Sequence, residues 1–346
     1  MANPFTLSFG RQPLTYISRL EQSHEVVESF SGEIANNMMY MITGVRGAGK
    51  TVLMTSIAME LQEGDESWIC VELNPELDLL EQLAAKLYNL PETHPLFIKA
   101  KLDLSFLGIG LSIEGGQQFY NVDLAIEKML SLLKKEKKRV LVLLDEVTNS
   151  QTMRVFAHSF QIFIRKDLDI FVLMTGLYEN IYNLQNEKSL TFLYRAQKIH
   201  IAPLNVGAIQ ESYKRIFDID AVQAKRMADE TKGYAFAYQV LGYIQWKNKE
   251  KTLEEIIPEY EQYLEEYVYQ KIWSELSETD QKVLFAFHGE EEKRTKEIRD
   301  VLDMSSSLFS TYRDRLEKKG VIDTSKYGYI RLALPRFSDF VEKQRV

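Results

Sequence analysis

The sequence predicts an α/β fold: a parallel sheet flanked by helices, followed by an all-helical segment and a small helix-turn-helix unit with a β-wing. Three observations lead there. Apolar strand-like runs alternate with helix-period segments from the N-terminus to about Pro203, the pattern of a parallel sheet covered on both faces. After Pro203 strand signals stop and helical periodicity takes over. The last stretch, from about residue 271, reads as three short helices and then two strands around a Lys-Tyr-Gly turn. The chain therefore divides into an α/β domain over 1–203, a helical lid over 204–270 and a winged-helix domain over 271–346.

The strands fall at 38–44, 67–73, 139–145, 170–176 and 198–201. An insertion, KAKLDLSFLGIGLSIEGG, alternates apolar and polar residues on either side of Gly108, predicting a β-hairpin over about 97–116. Its arms carry Leu102, Leu104 and Phe106 on one side and Ile109, Leu111 and Ile113 on the other. Beyond Pro203 the helices are LNVGAIQESYKRIF, DAVQAKRMADETKG, AFAYQVLGYIQWKN and the acidic TLEEIIPEYEQYLEEYVYQKIW. At helical spacing, Tyr234, Phe236, Tyr238, Tyr243 and Trp246 read as packing between helices. SETDQKVLFAF opens on a Ser-x-x-Asp helix start, TKEIRDVLDM follows, and SSSLFSTYRDRLEKKG ends at Gly320.

The segment ITGVRGAGKTVLM carries G-x-x-x-x-G-K-[ST] as Gly44, Gly49, Lys50 and Thr51. A strand precedes it and a helix with Leu53, Ile57, Ala58 and Leu61 on one face follows. Glycines let N–H groups turn around phosphate oxygens, lysine neutralises charge and threonine ligates Mg²⁺. The helix N-terminus adds its dipole. Residues Gly44, Val45, Arg46, Gly47, Ala48, Gly49, Lys50, Thr51 and Val52 are thus the expected phosphate cradle.

VLVLLDEV, Val140 to Val147, is an apolar run ending in two acids. Asp145 is placed to hold Mg²⁺ together with Thr51, and Glu146 to polarise the attacking water. IFVLMTGL ends a third strand at Thr175, either reaching the γ-phosphate or satisfied by backbone. Arg195 precedes the last strand and is either a finger toward a neighbouring subunit's nucleotide or a solvated arginine. ATP or ADP is the expected nucleotide, because no guanine-reading tetrad follows Thr231-Lys232 or Thr295-Lys296.

Composition bounds the rest. The chain has 346 residues, formal charge −8, and one cysteine, Cys70, set in the apolar run WICVEL, where a buried strand thiol is expected. No apolar run is long enough to span a bilayer, and a cytoplasmic, non-membrane protein is expected. All of the negative excess lies before residue 275, while residues 304–346 hold nine Lys or Arg against five Asp or Glu. A local basic face on the winged helix would suit duplex DNA, with Ser306, Ser307, Ser310, Thr311, Arg313 and Lys326 facing it. A winged helix used for protein contacts is the alternative.

On these residues the chain resembles AAA+ and STAND-type ATPases of the archaeal and bacterial group related to origin-recognition and replication-initiator ATPases. The likeness spans NPFTLSFGRQP, ISRLEQ, GVRGAGKT, VLVLLDE, MTGLYENI, FLYRA, GYAFAYQVLGY and the winged tail. It implies that the opening segment and lid enclose adenine, that Thr175 is a sensor and that Arg195 is an arginine finger. It also implies a slow, partner-regulated ATPase, with duplex DNA, a partner protein or further copies of the chain as partners. A small-molecule kinase fits poorly with the helical lid and winged tail. Two positions depart from the pattern: Phe236 stands where replication initiators carry a lid arginine, and Arg19 lies between Ser18 and Leu20 rather than glycine and glutamate. These features leave two functions open, a DNA-directed ATP switch and a STAND-like signalling ATPase.

Overall fold

A computed structural model describes residues 2–7, 13–32, 35, 37–105, 117–118, 121–287, 289 and 291–345. The chain forms two compact units. One, the sheet unit, holds Leu20–Thr43 and Leu53–His200; the other, the helical unit, holds Met1–Arg19, Gly44–Val52 and Ile201–Val346. The loop that follows the first strand thus belongs with the C-terminal part of the chain.

The sheet unit runs α1 (Leu20–Ser31), β1 (Met39–Thr43), α2 (Lys50–Gly64), β2 (Trp68–Leu73), α3 (Leu79–Asn89), α4 (His94–Lys99), β3 (Leu102–Asp103), β4 (Gln117–Gln118), α5 (Val122–Lys135), β5 (Arg139–Leu144), α6 (Gln151–Arg165), β6 (Ile170–Gly176), α7 (Tyr178–Gln185) and β7 (Gln197–His200). The first turn of α2 belongs to the other unit. Five strands form one parallel sheet in the order β2-β5-β6-β1-β7. Strands β1 and β6 are buried along their whole length, as expected of strands covered on both faces. Polar caps set where the covering helices begin: Asp78 accepts from the N–H groups of Leu80 and Glu81, Asn121 from Leu124, and Ser150 from Met153. Register aligns the strand ends, with Ile42 opposite Thr175 and Leu144 opposite Met174. Residues that follow β5 and β6 therefore emerge level on one edge.

In this unit the stretch expected as a hairpin opens with α4 through Lys99, and Leu102–Asp103 of β3 pair in parallel with β4, just beyond the expected stretch. The second expected arm, Ile109 to Ile113, and Gly108 lie outside the described residues. Cys70 is half-buried, with its thiol 3.8 Å from the Ala58 carbonyl, and burial pushes its pKa up to about 12. It stays a protonated thiol at working pH.

The helical unit contains α8 (Val206–Phe217), α9 (Ala221–Asp229), α10 (Ala235–Lys247), α11 (Leu253–Leu264), a π-turn (Glu265–Tyr269), α12 (Gln270–Ser274), α13 (Glu278–Phe285), β8 (Lys293–Arg294), α14 (Thr295–Val301), α15 (Ser306–Lys318), β9 (Ile322–Asp323), β10 (Tyr329–Leu332) and α16 (Phe337–Lys343). The short strands pair antiparallel in the order β8-β10-β9. With α13, α14 and α15 they make the helix-helix-helix-wing arrangement that the tail pattern predicts. Strand β8 and helix α16 add to it; each is too short to carry a periodic signal. Aromatic rings fill the core: Phe5 stacks on Phe217 at 5.6 Å and meets Tyr238 edge-on. Gly242 makes room for that ring, since a Cβ there would lie 2.3 Å from Phe5.

Asp280 ties α13 to the end of α15. Its side chain is fully covered and takes Arg315 Nε at 2.9 Å and Lys319 Nζ at 3.2 Å, while closing a capping box with Ser277. Burial pushes its pKa up, but the Arg315 hydrogen bond and Lys319 charge outweigh this and hold it below the ordinary 3.8. Among the described residues, no helix is long and apolar enough to cross a membrane.

Asp280→Asn leaves two cations facing a neutral amide, so urea unfolding should show a loss of about 3 kcal/mol near neutral pH. Because the folded-state carboxyl is depressed, its contribution is present above the ordinary carboxylate range and is lost as pH falls through it. The gap between parent and variant should therefore narrow below about pH 4.

Candidate functional site

Within the helical unit, the glycine loop is held from outside through its carbonyls. Gly44 and Val45 accept from Lys50 Nζ, each at 3.1 Å. Arg46 accepts from the Tyr234 hydroxyl at 2.5 Å, Gly47 from the Phe236 N–H at 3.1 Å, and Ala48 from Arg19 Nη2 at 2.8 Å. Five consecutive carbonyls, Gly44 to Ala48, thus each have a donor. In a trans peptide the N–H of the next residue points the opposite way. The N–H groups of Val45, Arg46, Gly47 and Gly49 are consequently directed away from those donors, and that of Ala48 closes a turn onto Val45 at 3.2 Å. Helix α2 begins at Lys50 and adds N–H groups that no helical carbonyl can take. The N–H set suits an anion of several oxygens, and Lys50 Nζ lies close by on the Gly44 and Val45 carbonyls.

Glycine is required at the crest. Gly47 has φ +71°, and a Cβ there would lie 2.3 Å from the Tyr234 hydroxyl and 2.9 Å from Phe236 Cβ. Gly49 also has positive φ, at +92°. Arg46 projects to Glu275 at 2.9 Å, and Gly320, at the end of α15, lies against Val45. Arg19 donates to Ala202 as well as Ala48, and burial lowers its pKa to about 10, which leaves it a cation at neutral pH.

In the sheet unit the acids follow β5. Asp145 is half-buried and Glu146 exposed. The fully buried Thr175 donates its hydroxyl to Asp145 Oδ1, and the Glu146 N–H reaches Asp145 Oδ1 at 3.0 Å and Thr175 Oγ1 at 3.2 Å. Glu146 takes this position with φ +53°, in the left-handed region. Here the Thr175 hydroxyl is committed to the carboxylate, orienting Asp145, rather than to its own backbone. Arg195 ends a 3₁₀ turn, Thr191–Arg195, and is exposed.

The tail residues expected to face DNA divide in two groups. Ser306, Ser307 and Thr311 are exposed on α15, and Ser310 is half-buried. Both cations have acidic partners, Arg313 with Asp314 at 2.8 Å and Lys326 with Glu292. The same holds along the stretch: Arg315 and Lys319 pair with Asp280, Arg331 with Asp323, Arg336 with Glu230 and Glu261, Lys343 with Glu265, and Arg345 with Glu342. Five of these acids, Glu230, Glu261, Glu265, Asp280 and Glu292, lie upstream of residue 304. The basic excess read from the sequence is therefore largely matched by acids between Glu230 and Glu292.

Sequence reading missed the roles of Tyr234, Phe236 and Glu275. The two aromatics read as packing because nothing in a helical period says that a ring's hydroxyl or backbone N–H meets a loop some 190 residues earlier.

Residues 266–341 match a family described only as a domain of unknown function (DUF8462). No curated protein matches the chain. Among solved structures, the chain is similar to a Walker-type ATPase, PABY2304, of Pyrococcus abyssi, with TM-score 0.64, 17% identity, and coverage of 94% of this chain and 96% of that one. It is also similar to the ORC2 protein of Aeropyrum pernix, solved as ADPNP–ADP complexes, with TM-score 0.59, 13% identity, and coverage of 97% and 96%. Cdc6p from Pyrobaculum aerophilum follows at TM-score 0.50, 13% identity and the same coverage. At these identities the likeness is one of fold.

Thr175→Val keeps the shape of the side chain and strips the half-buried Asp145 carboxylate of a donor. Urea denaturation should show a loss of about 1–3 kcal/mol.

Proposed function

We propose that this chain, which has the fold of the AAA+ ATPases related to replication initiators, binds ATP with Mg²⁺ and hydrolyses it slowly, as a switch. The observation that carries this reading is the set of five carbonyls, Gly44 to Ala48, turned onto donors, which leaves the opposite face of the loop to phosphate oxygens. Lys50, whose ammonium rests on the Gly44 and Val45 carbonyls, supplies positive charge by turning from them to the phosphate. Thr51 and Asp145 are the residues to hold Mg²⁺, which when bound neutralises charge on the phosphate oxygens. Asp145 is kept in one orientation by Thr175, so its oxygens stay aimed. Glu146, exposed beside it, orients and deprotonates water. In chain order Gly44 directly follows β1 and Asp145 directly follows β5, two strands of one parallel sheet; ligands of such sheets bind beyond the strands' carboxyl ends. Arg195, exposed near β7, suits a finger offered to a second copy's nucleotide. We read 1–203 as the ATPase domain, 204–270 as the lid and 271–346 as the winged helix.

For the winged helix, the pairing of its cations with acids favours a module for interdomain or partner contacts, as in a signalling ATPase. Coupling of nucleotide state to duplex DNA is the rival reading; it draws on the exposed Ser306, Ser307 and Thr311 of α15. Exposed ion pairs are weak, about 0–1 kcal/mol, so phosphates can compete for Arg313 and Lys326.

Calorimetry should show Lys50→Ala weakening ATP binding at least tenfold, about 1.4 kcal/mol, while Glu146→Gln binds ATP and fails to turn it over. Normal binding by the first variant rules out the phosphate loop; normal turnover by the second moves the base elsewhere. For the tail, duplex titrations at several salt concentrations decide. On the interdomain reading the parent binds no duplex even at low salt. On the DNA reading Arg313→Glu and Lys326→Glu each weaken binding and lower the salt slope by about one unit.

A further inference from the structure

We infer that Tyr234 and Phe236 are positioning residues for the phosphate loop: the start of α10 fixes the loop's shape through its carbonyls, so phosphate affinity depends on the lid without any lid side chain touching phosphate. The inference rests on the phosphate-loop reading above and adds to it the means by which lid and nucleotide sense each other.

Three features of the contact carry it. First, the two donors act on adjacent peptide units at the crest, Tyr234 Oη on the Arg46 carbonyl and Phe236 N on the Gly47 carbonyl. A peptide plane is rigid, so holding these oxygens also fixes the N–H groups of Gly47 and Ala48. Second, the Tyr234 hydroxyl is covered by protein, with the residue only 5% exposed. A buried phenol requires a partner, and burial raises its pKa well above the ordinary 10, so it remains a donor at every working pH. Third, the fit excludes any side chain at position 47, where a Cβ would meet both Tyr234 and Phe236.

The arrangement also accounts for the departure at Phe236. A lid arginine would read the phosphate by charge. Here the residue at that position contributes its backbone N–H, at the second residue of α10, a group with no helical acceptor of its own. Arg19 completes the grip from the N-terminal segment through the Ala48 carbonyl. If the start of α10 withdraws, the Arg46 and Gly47 carbonyls lose their donors, and the Gly47 N–H and the Ala48 turn onto Val45 lose their fixed orientation. Nucleotide release and lid movement are then one event.

The test compares full-length variants for binding of ATP and of inorganic tripolyphosphate, which has no adenosine. Tyr234→Phe removes one hydroxyl and keeps the ring. It should weaken both ligands by a similar factor, about five- to tenfold, as expected for one lost hydrogen bond. Phe236→Ala and Phe236→Pro both remove the ring, but only proline removes the N–H, at a first-turn position where helices accept it. Proline should bind both ligands several-fold more weakly than alanine. Lys50→Ala, run alongside, separates the two readings. If it abolishes binding while Tyr234→Phe binds like the parent, the positioning role falls and the phosphate loop stands. If Lys50→Ala binds normally, both fall. Weaker ATP binding with unchanged tripolyphosphate binding also overturns the inference, because the aromatics would then act on adenosine. So does a lower melting temperature of the ligand-free Tyr234→Phe protein with unchanged affinity, the mark of packing alone.

Discussion

Five successive carbonyls of the glycine loop, Gly44 to Ala48, each have a hydrogen-bond donor, and these bonds tie together distant segments of the helical unit. The donors come from Lys50 within the loop, from Arg19 ahead of it, and from Tyr234 and Phe236 at the start of α10. Those hydrogen bonds join the loop to Met1–Arg19 and Ile201–Val346, the segments with which Gly44–Val52 clusters.

The same unit is also tied together by ion pairs between acids of its earlier helices and cations of the tail. Arg336 pairs with Glu230 at 2.9 Å, Lys343 with Glu265, and Arg46 of the loop with Glu275 at 2.9 Å. Most of these pairs are partly exposed and individually weak. The covered one, Asp280 with Arg315 and Lys319, is different, because removing either charge type leaves the other stranded in low dielectric. Lys319 also donates to the Glu275 carbonyl at 3.4 Å. The loop, the end of α12 and the end of α15 thereby share one charged cluster.

Much of the fold was legible in the sequence, for reasons of periodicity. Continuous apolar runs such as Val140–Leu144 have to be covered on both faces, and the sheet strands lie where those runs predict. The capping box at Ser277 and Asp280 marks the start of α13 because a helix's first N–H groups need side-chain acceptors. For the insertion after Lys99, alternation predicts extended chain, but it does not say whether neighbouring strands run parallel or antiparallel. Short elements such as β8 and α16 escaped because two to seven residues carry no period.

The sequence by itself determined the glycine-loop spacing, the acids at the end of an apolar strand, the order of parallel sheet and helices, and the count of charges in each segment. Tertiary structure decided what those groups are attached to. It turned Thr175 onto Asp145, matched the tail's cations with acids, and brought Tyr234 and Phe236 to the loop's carbonyls. Spacing along a chain reports local conformation, whereas hydrogen bonds between residues nearly 190 positions apart depend on how whole elements pack, and no local pattern records that.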